Sequence, residues 1–346
     1  MARTIGHASL EAWNSALLQG AGLAPGAADT VAKLLVEANL RGVDSHGTSR
    51  LPTYVERLRT GLVNRDPKPV VEKQDGALAV VDGDGGPGQV AGLFATELAV
   101  KLARENGLGA VGVRHSTHYG AAAAYVIRPA REGLIGISTT NAEPFTVPFG
   151  GRHAALGTNP IAFGAPTGDG TFVLDMATSQ VAANRVILAR DEGEPSIPEG
   201  WAVDAEGVPT TDPAKAVSVV PLGGYKGYGL ALMVEVLSGL LSGAGVTHGI
   251  GRMYDEWDRP QDVGHFFCVL DPERMSGRAR FTELLDGLLA ELRAIPPAPG
   301  FDEVLVAGDP EERTQRERER DGIPLGPALW ASLEILSSEM HVEVPT

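Results

Sequence analysis

The feature that most constrains the fold is a regular alternation of strand-like and helical segments between residues 76 and 139. Short apolar runs are separated there by longer stretches in which apolar residues recur at helical spacing. We expect strands at 76–82, 108–113 and 134–139, with helices at 92–106 and 121–132. Strands that alternate with helices in this way are typical of an α/β domain. With 346 residues, the chain has room for one or two domains.

The charge of the chain limits its partners. Its 29 Lys and Arg against 44 Asp and Glu give a net charge of −15. Nucleic acids and anionic membranes are bound by clustered basic residues, so neither partner is expected. No apolar stretch reaches the roughly 18 residues of a membrane span, and residues 1–4 lead into a polar amphipathic segment instead of a signal peptide. We therefore expect a cytoplasmic protein.

A histidine and an arginine stand four residues apart in the segment from Asp44 to Arg50, between predicted helices at 26–41 and 51–58. On a helix, His46 and Arg50 would share one face, because four residues is slightly more than one turn. Histidine can give or take a proton near neutral pH, and the planar arginine fork matches a carboxylate. The pair therefore suits a small substrate with a carboxylate next to a carbonyl or a hydroxyl group.

A glycine-rich turn at residues 83–88 matches the GxGxxG pattern of Rossmann dinucleotide-binding loops, between a predicted strand and a predicted helix. Two features count against a dinucleotide site there. Pro87 removes one backbone N–H group that would face the pyrophosphate, and the next strand ends in Arg114 instead of an acidic residue that could bind the ribose. A plain turn is favoured, although Arg114 would suit the 2′-phosphate of NADP.

His115 and His118 stand three residues apart after the second predicted strand. Such a pair can bind a metal, but a tetrahedral site needs one or two more ligands. The spacing of the other candidates, His46, His153 and Asp175, does not point to such a site. A polar loop that contacts a ligand is favoured, and no metal is expected.

Two further segments carry polar groups at the ends of predicted elements. Residues 174–179 end a strand with small polar groups. These groups could form a turn that caps the next segment or one wall of a nucleotide site, and the spacing favours the turn. Lys226 precedes a predicted apolar helix at 227–241. A lysine and a helix N-terminus together can bind an anion, and a solvated lysine is the equal alternative.

Eight segments, in order along nearly the whole chain, carry a resemblance to a known family. They are SHGTSRLPTY (45–54), GPGQVAG (86–92), VRHSTHYGAAAAY (113–125), EPFTVPFGG (143–151), LGTNPIAFGAP (156–166), LDMATS (174–179), WAVDAEGVPTTDP (201–213) and PLGGYKGYGLAL (221–232). Together they resemble the malate/L-lactate dehydrogenase family, which also contains sulfolactate, ureidoglycolate, diketogulonate and cyclic imino-acid enzymes. This family is unrelated in fold to the Rossmann lactate dehydrogenases.

The resemblance implies a fold and an activity. The fold is α/β, with a non-Rossmann cofactor-binding sheet of the family's own topology and a helical domain formed by both ends of the chain. We expect the helical, substrate-binding and dimerisation domain at 1–75 and 260–346, and the NAD(P)-binding domain at 76–259. The implied activity is the NAD- or NADP-dependent interconversion of a small 2-oxo acid and its 2-hydroxy acid, in a homodimer with its site near the subunit interface.

The resemblance also implies roles for matched residues. His46 corresponds to the general acid or base, Ser45 to a hydrogen-bond relay beside it, and Arg50 to the residue that holds the substrate carboxylate. His118 matches an alternative catalytic base of some members and a cofactor contact of others, and Thr158 matches a threonine on the substrate side. The positions that match cofactor contacts are Tyr119, Gly120, Ala121, Asp175, Met176, Ala177, Thr178, Ser179, Tyr225, Lys226, Gly308 and Asp309.

Two departures from the family pattern leave alternatives open. Residues 182–185, Ala-Ala-Asn-Arg, stand where many members have Ala-Arg-Gly followed by Lys or Asp, and Ala307 replaces a usual proline. Arg185 takes the place of the acidic relay of the imino-acid reductases, which disfavours that substrate class. The alternatives are an altered member that acts on a cyclic imino acid or a ureidoglycolate-like compound, one that only binds the cofactor, and a histidine-based metal-dependent hydrolase.

Overall fold

The computed structural model describes residues 3–191 and 193–345 of the chain. The strands are β1 (Arg3–Ile5), β2 (Val70–Asp75), β3 (Leu78–Asp82), β4 (Leu108–Ser116), β5 (Ile135–Thr140), β6 (Ile161–Pro166), β7 (Thr171–Met176), β8 (Ala202–Val203), β9 (Pro209–Thr210), β10 (Ser218–Val219), β11 (Val263–Leu270) and β12 (Ile323–Leu325). The helices are α1 (His7–Gly20), α2 (Pro25–Leu40), α3 (Leu51–Arg59), α4 (Gly88–Asn106), α5 (Ala123–Arg131), α6 (Ala183–Asp191), α7 (Tyr225–Val234), α8 (Arg278–Arg293), α9 (Asp309–Asp321) and α10 (Pro327–Met340). A π-helical segment, Glu235–Leu240, continues α7.

Seven strands form one mixed sheet in the order β2-β3-β4-β11-β5-β6-β7. The pair β3 and β4 is parallel, and the other neighbouring pairs are antiparallel. Strand β11 lies between β4 and β5, and its residues Val263, Phe267 and Val269 are buried. A Rossmann sheet is mostly parallel. The structure therefore confirms the predicted α/β class with a non-Rossmann sheet.

Helix α4 packs closely on this sheet through small residues. Ala91, Ala95 and Ala99 recur every four residues and are fully buried on one face of the helix. A β-carbon at Gly109 of β4 would lie 2.1 Å from the Ala99 carbonyl oxygen. The close approach of the helix and the strand therefore requires glycine at that position.

The glycine-rich turn at residues 83–88 packs against the protein itself. Asp84 and Gly85 have positive φ angles of 55° and 62°. Gly88 donates its N–H to the Thr117 hydroxyl at 3.2 Å, and a β-carbon there would lie 2.1 Å from the Thr117 carbonyl oxygen. This packing agrees with the plain turn that the sequence favours.

The two ends of the chain share a second hydrophobic core, built from α1, α2, α3, α10 and the antiparallel pair β1–β12. The Trp13 and Trp330 rings lie 5.3 Å apart, and Trp13 donates a hydrogen bond to Ser337 at 2.8 Å. The predicted division into domains at 1–75 with 260–346 and at 76–259 stays a prediction. Strand β11, which belongs to the seven-stranded sheet, comes from the range predicted for the helical domain. Within the described residues, no helix combines the length and apolar character of a membrane span.

Candidate active site

His46 and Arg50 lie on two short 3₁₀ turns, one on each side of Gly47, and not on one α-helical turn. The residue between the turns is glycine because a β-carbon at Gly47 would lie 2.4 Å from the Asn39 side chain of α2. The Asn39 oxygen accepts the N–H of the residue after Gly47 at 2.8 Å, and its amide donates to Asp44 at 2.6 Å. Helix α2 therefore fixes the path of the segment that carries the pair.

The Arg50 guanidinium lines an open cleft of about 890 Å³. Its Nε donates to the Ser45 carbonyl oxygen at 2.5 Å, and its Nη1 donates to the Tyr254 hydroxyl. The amide oxygen of Asn184, in the orientation that satisfies its polar atoms, accepts from both Nη atoms, at 3.1 Å from Nη1. Arg50 is only 8% exposed. Because these three partners are neutral, the guanidinium keeps its charge for an anionic ligand, such as a carboxylate.

The imidazole rings of His46 and His118 lie beside each other, with centroids 5.6 Å apart and planes inclined by 25°. His46 Nδ1 is hydrogen-bonded to the Ser45 hydroxyl at 3.0 Å, which leaves Nε2 for a substrate. The protein around the partly exposed ring, and then the positive charge of Arg50, lower the pKa of His46 to about 4. Burial, and then His46, lower the pKa of His118 well below its usual value. Both rings are therefore neutral at pH 7.

His118 is also held from its other side. The Tyr54 hydroxyl of α3 lies 2.7 Å from His118 Nδ1, and Gln89 Nε2 donates to that hydroxyl at 3.0 Å. The backbone N–H of His118 donates to Gln261 Oε1 at 3.2 Å. The sequence reasoning missed Tyr54, Gln89 and Gln261. Tyr54 could have been found as a polar aromatic residue of the predicted helix at 51–58, one turn after Arg50.

The segments expected to contact the cofactor meet in a second region. Thr178 donates its backbone N–H and its hydroxyl to the Thr158 carbonyl oxygen, at 2.9 and 3.0 Å. Leu222 donates its N–H to the Thr178 carbonyl oxygen at 2.9 Å, just before α7 begins. The structure therefore brings residues 158, 174–179 and 221–226 together, with Lys226 exposed at the start of α7.

Asp175 joins this region to the start of α5. Its carboxylate accepts the Ala123 N–H at 2.7 Å. The side chain is accessible to solvent, but the protein crowded around it raises its pKa to about 6, against the effect of the Ala123 N–H and of Arg41. The Asp175 carboxyl group is therefore protonated at a higher pH than that of an ordinary surface aspartate. It lies at the N-terminus of α5, where a negative charge is favoured.

The other predicted cofactor residues range from buried to exposed. The Tyr119 ring is 1% exposed and stacks on His265 at 4.6 Å between centroids, so only the backbone of this stretch, with Gly120 and Ala121, can reach a ligand. The Asp309 carboxylate forms an ion pair with Arg293 at 2.7 Å. Tyr225 is exposed beside Phe149, and Met176, Ala177 and Ser179 lie within the polar stretch that follows β7.

The family model described as malate/L-lactate dehydrogenase matches residues 5–334. The chain belongs to this family.

Three proteins show how similar the other family members are. The ureidoglycolate dehydrogenase (NAD(+)) of Escherichia coli K12 is 41% identical over 306 residues, which is 88% of this chain and 87% of that protein. The (2R)-3-sulfolactate dehydrogenase (NADP(+)) of Chromohalobacter salexigens is 39% identical over 322 residues, 92% of this chain and 93% of that protein. The solved malate dehydrogenase of Pyrococcus horikoshii superposes with a TM-score of 0.91 at 36% identity and covers 99% of this chain and 97% of its own. Relatives named for either nucleotide confirm the predicted cofactor class, NAD or NADP.

The departure of this family member at residues 182–185 lies at the cleft. Ala183 and Asn184 line it, and Asn184 contacts Arg50. The second departure, Ala307, lies beside Gly308 in a separate cleft of about 540 Å³. The sequence could not place Tyr254 next to Arg50, because 204 residues separate them in the chain.

The histidines do not gather into one metal-binding group. His115 is exposed and paired with Asp82 at 2.8 Å, so it does not join His46 and His118. Across residues 3–191 and 193–345, no three His, Cys, Asp or Glu side chains are placed to share a metal ion. The arrangement of the side chains gives no support to the hydrolase alternative.

Proposed function

We propose that this protein is an NAD(P)-dependent oxidoreductase that interconverts a small 2-oxo acid and its 2-hydroxy acid. The observation that carries the proposal is a buried arginine that lines a cleft with neutral hydrogen-bond partners, and whose charge acts on the neighbouring neutral imidazole of His46. Arg50 would hold the substrate carboxylate with its fork. His46 would face the neighbouring oxygen through Nε2, while Ser45 holds Nδ1.

The neutral state of His46 sets its part in the reaction. When the hydroxy acid is oxidised, the neutral ring accepts the hydroxyl proton at Nε2, and Arg50 keeps the carboxylate in place. In the reverse direction the protonated ring returns that proton to the carbonyl oxygen. With a pKa of about 4, the protonated ring is a strong acid but is scarce at pH 7, so protonation at low pH favours reduction and disfavours oxidation.

A cleft near Asp175 of the second region has donors that suit the phosphates of a nicotinamide dinucleotide, since the charge of Arg41 acts on Asp175. Arg41, Arg131 and Arg316 line this cleft of about 330 Å³ together with Gly308, and its lining also includes the acidic residues Asp169, Glu312 and Glu319. The buried Nε of Arg41 has no hydrogen-bond partner among the described residues. Arginines and an exposed lysine, Lys226, are the donors that phosphates require. When bound, the cofactor supplies the hydride chemistry, and the remaining matched residues, with Thr158 on the substrate side, stay proposals.

Replacement of His46 tests the proton role. We expect His46→Ala to lower kcat by ~10²–10⁴-fold, which is the usual effect of removing a general acid or base. Cofactor binding, followed by quenching of protein fluorescence, should change little. His248→Ala is the matched control, since His248 is exposed in a separate 3₁₀ turn. Near-normal turnover of His46→Ala would transfer the proton role to His118.

We also propose that the protein is a homodimer. Helix α7 and the π-helical segment after it expose a run of large apolar residues, which are Leu230, Leu232, Met233, Val236, Leu240 and Leu241. An apolar surface of this kind marks an interface in a soluble protein, and a two-fold dimer is the most common homo-oligomer. Since Lys226 stands at the start of the same helix, the interface would lie near the proposed site, as the family resemblance implies.

A further inference from the structure

A small cavity lies behind His118, on the side of Tyr54. It measures about 20 Å³, and six apolar residues and six polar ones line it, with Arg57, Gln89 and Gln261 among the polar ones. Each of these three side chains is 1% exposed. Each also has one buried polar atom without a hydrogen-bond partner among the described residues: Nε of Arg57, Oε1 of Gln89 and Nε2 of Gln261.

The three unpaired atoms have the chemistry of a water site. Two of them, on Arg57 and Gln261, are donors, and the third, on Gln89, is an acceptor. A buried polar atom without a partner costs roughly 1–3 kcal/mol, so three such atoms on residues that line one cavity point to a bound ligand that pairs with them. A water molecule can accept two hydrogen bonds and donate to the third atom. A cavity above about 10–15 Å³ is large enough for one water.

The other polar atoms of the Gln89 and Gln261 amides connect the cavity to His118 through hydrogen bonds. Gln89 Nε2 donates to the Tyr54 oxygen at 3.0 Å. The hydroxyl hydrogen of Tyr54 is therefore available to His118 Nδ1, which lies 2.7 Å away. The Gly120 N–H also points at Nδ1 from 3.4 Å. Gln261 Oε1 accepts the backbone N–H of His118 at 3.2 Å. Two donors directed at Nδ1 require an unprotonated nitrogen.

We propose that this cavity binds one ordered water molecule, and that the network it completes acts through Tyr54 to hold His118 in the tautomer with hydrogen on Nε2. The water keeps the Gln89 oxygen turned towards the cavity and its NH₂ group turned towards Tyr54. If the amide were reversed, its oxygen would take the Tyr54 hydrogen, and His118 would have to donate from Nδ1. Tyr54 and Gln89 are therefore positioning residues for the ring.

This tautomer divides the work between the two histidines, a consequence that rests on the proposed function. A neutral His118 with hydrogen on Nε2 is a donor to the substrate oxygen and cannot accept a proton at that nitrogen. Proton acceptance is thus left to His46, whose Nδ1 is held by Ser45. Because the tautomer belongs to the protein alone, it can be measured whether or not the proposed reaction occurs.

Nitrogen-15 NMR of the full-length protein tests the tautomer directly. We expect His118 in the wild type to show a pyridine-like Nδ1 and a pyrrole-like Nε2 at pH 7. In Tyr54→Phe we expect a mixture of the two tautomers. Ser337→Ala removes another buried hydrogen bond, the one to Trp13, and should leave the His118 signals unchanged. A pyrrole-like Nδ1 in the wild type, or unchanged tautomers in Tyr54→Phe, would overturn the proposal.

Steady-state kinetics supplies an independent test. In Tyr54→Phe, kcat should fall roughly 5- to 10-fold with KM for the substrate unchanged, since a single positioning hydrogen bond is lost. Ser337→Ala should change neither kcat nor KM.

Crystallography tests the water site. A high-resolution crystal structure should show one water bonded to Arg57, Gln89 and Gln261, and Gln89→Met should displace it and mix the tautomers. Ordered side chains with no density between them would refute the water site. A wild type without dehydrogenase activity would refute the proposed function and leave the NMR result standing.

Discussion

At the scale of single residues, the cleft depends on how Arg50 is held. Its partners are a carbonyl oxygen, the Tyr254 hydroxyl and the Asn184 amide, and none of them neutralises its charge. The Tyr254 ring lies 5.6 Å from Cζ and supports the planar group from its face. A carboxylate that binds here therefore meets a cation whose geometry is set in advance.

The same geometry predicts the effect of Arg50→Lys. Lysine keeps the charge but loses the fork and the contacts that orient it, so we expect KM for a carboxylate substrate to rise roughly 10-fold or more, the value of one charge-assisted hydrogen bond. Steady-state kinetics of both variants would measure it. Arg59→Lys, at the end of the helix α3 that follows Arg50 and in an exposed pair with Glu339, should behave as the wild type. An unchanged KM in Arg50→Lys would mean that the carboxylate is bound elsewhere.

At the scale of elements, the wall of the cleft away from Arg50 is apolar. Val186 and Ile187 come from α6, and Val217 and Val219 come from the region of β10. The carboxylates at this cleft include Glu143, whose pKa burial raises. Arg190 and Arg252 also line this cleft, and Arg252 is paired with Asp255. An apolar substrate chain would be buried against the valines and Ile187.

This wall predicts the preferred side chain of the substrate. Each buried methylene contributes about 0.8 kcal/mol, so kcat/KM for straight-chain 2-oxo acids should rise about fourfold per methylene until the wall is covered. Val217→Lys should reduce this dependence on chain length, and Val208→Lys, at an exposed turn, should not. Assays of a series of 2-oxo acids with NADH and NADPH would measure it, and a wild-type kcat/KM that falls as the chain lengthens would contradict it.

The elements also show how far sequence reasoning reaches. The strands and helices between residues 76 and 139 could be predicted, because long periodic runs repeat one signal many times. Strands β1 and β12 have three residues each and pair only with each other, so they are too short for an alternation of apolar and polar residues to predict them. The two turns around Gly47 follow from contacts with Asn39, and Tyr254 reaches Arg50 across 204 residues. Local pattern therefore finds the pair of His46 and Arg50 but not the groups that orient it.

At the scale of the whole molecule, the apolar face of α7 and the π-helical segment remains uncovered in a single chain. Leu240 and Leu241 are 63% and 61% exposed. The π-helical segment packs on the sheet through its other side, where the buried Ser238 is hydrogen-bonded to Thr139 of β5 at 2.8 Å. Its exposed side is continuous with the end of the helix that carries Lys226. Burial of this face against a second copy would also fix the start of α7, where the cofactor phosphates are proposed to bind.

This arrangement predicts a dimer that a single charge can dissociate. In analytical ultracentrifugation, the mass of the wild type should be twice the 36.2 kDa of one chain. Leu240→Glu would place two carboxylates in an apolar two-fold interface without partners, a strongly unfavourable burial, so this variant should sediment as a monomer. Val208→Glu adds the same charge at an exposed turn and should remain dimeric. If the face orders α7, the monomer should also bind the cofactor more weakly. A monomeric wild type, or a Leu240→Glu protein that stays dimeric, would assign the face to another partner.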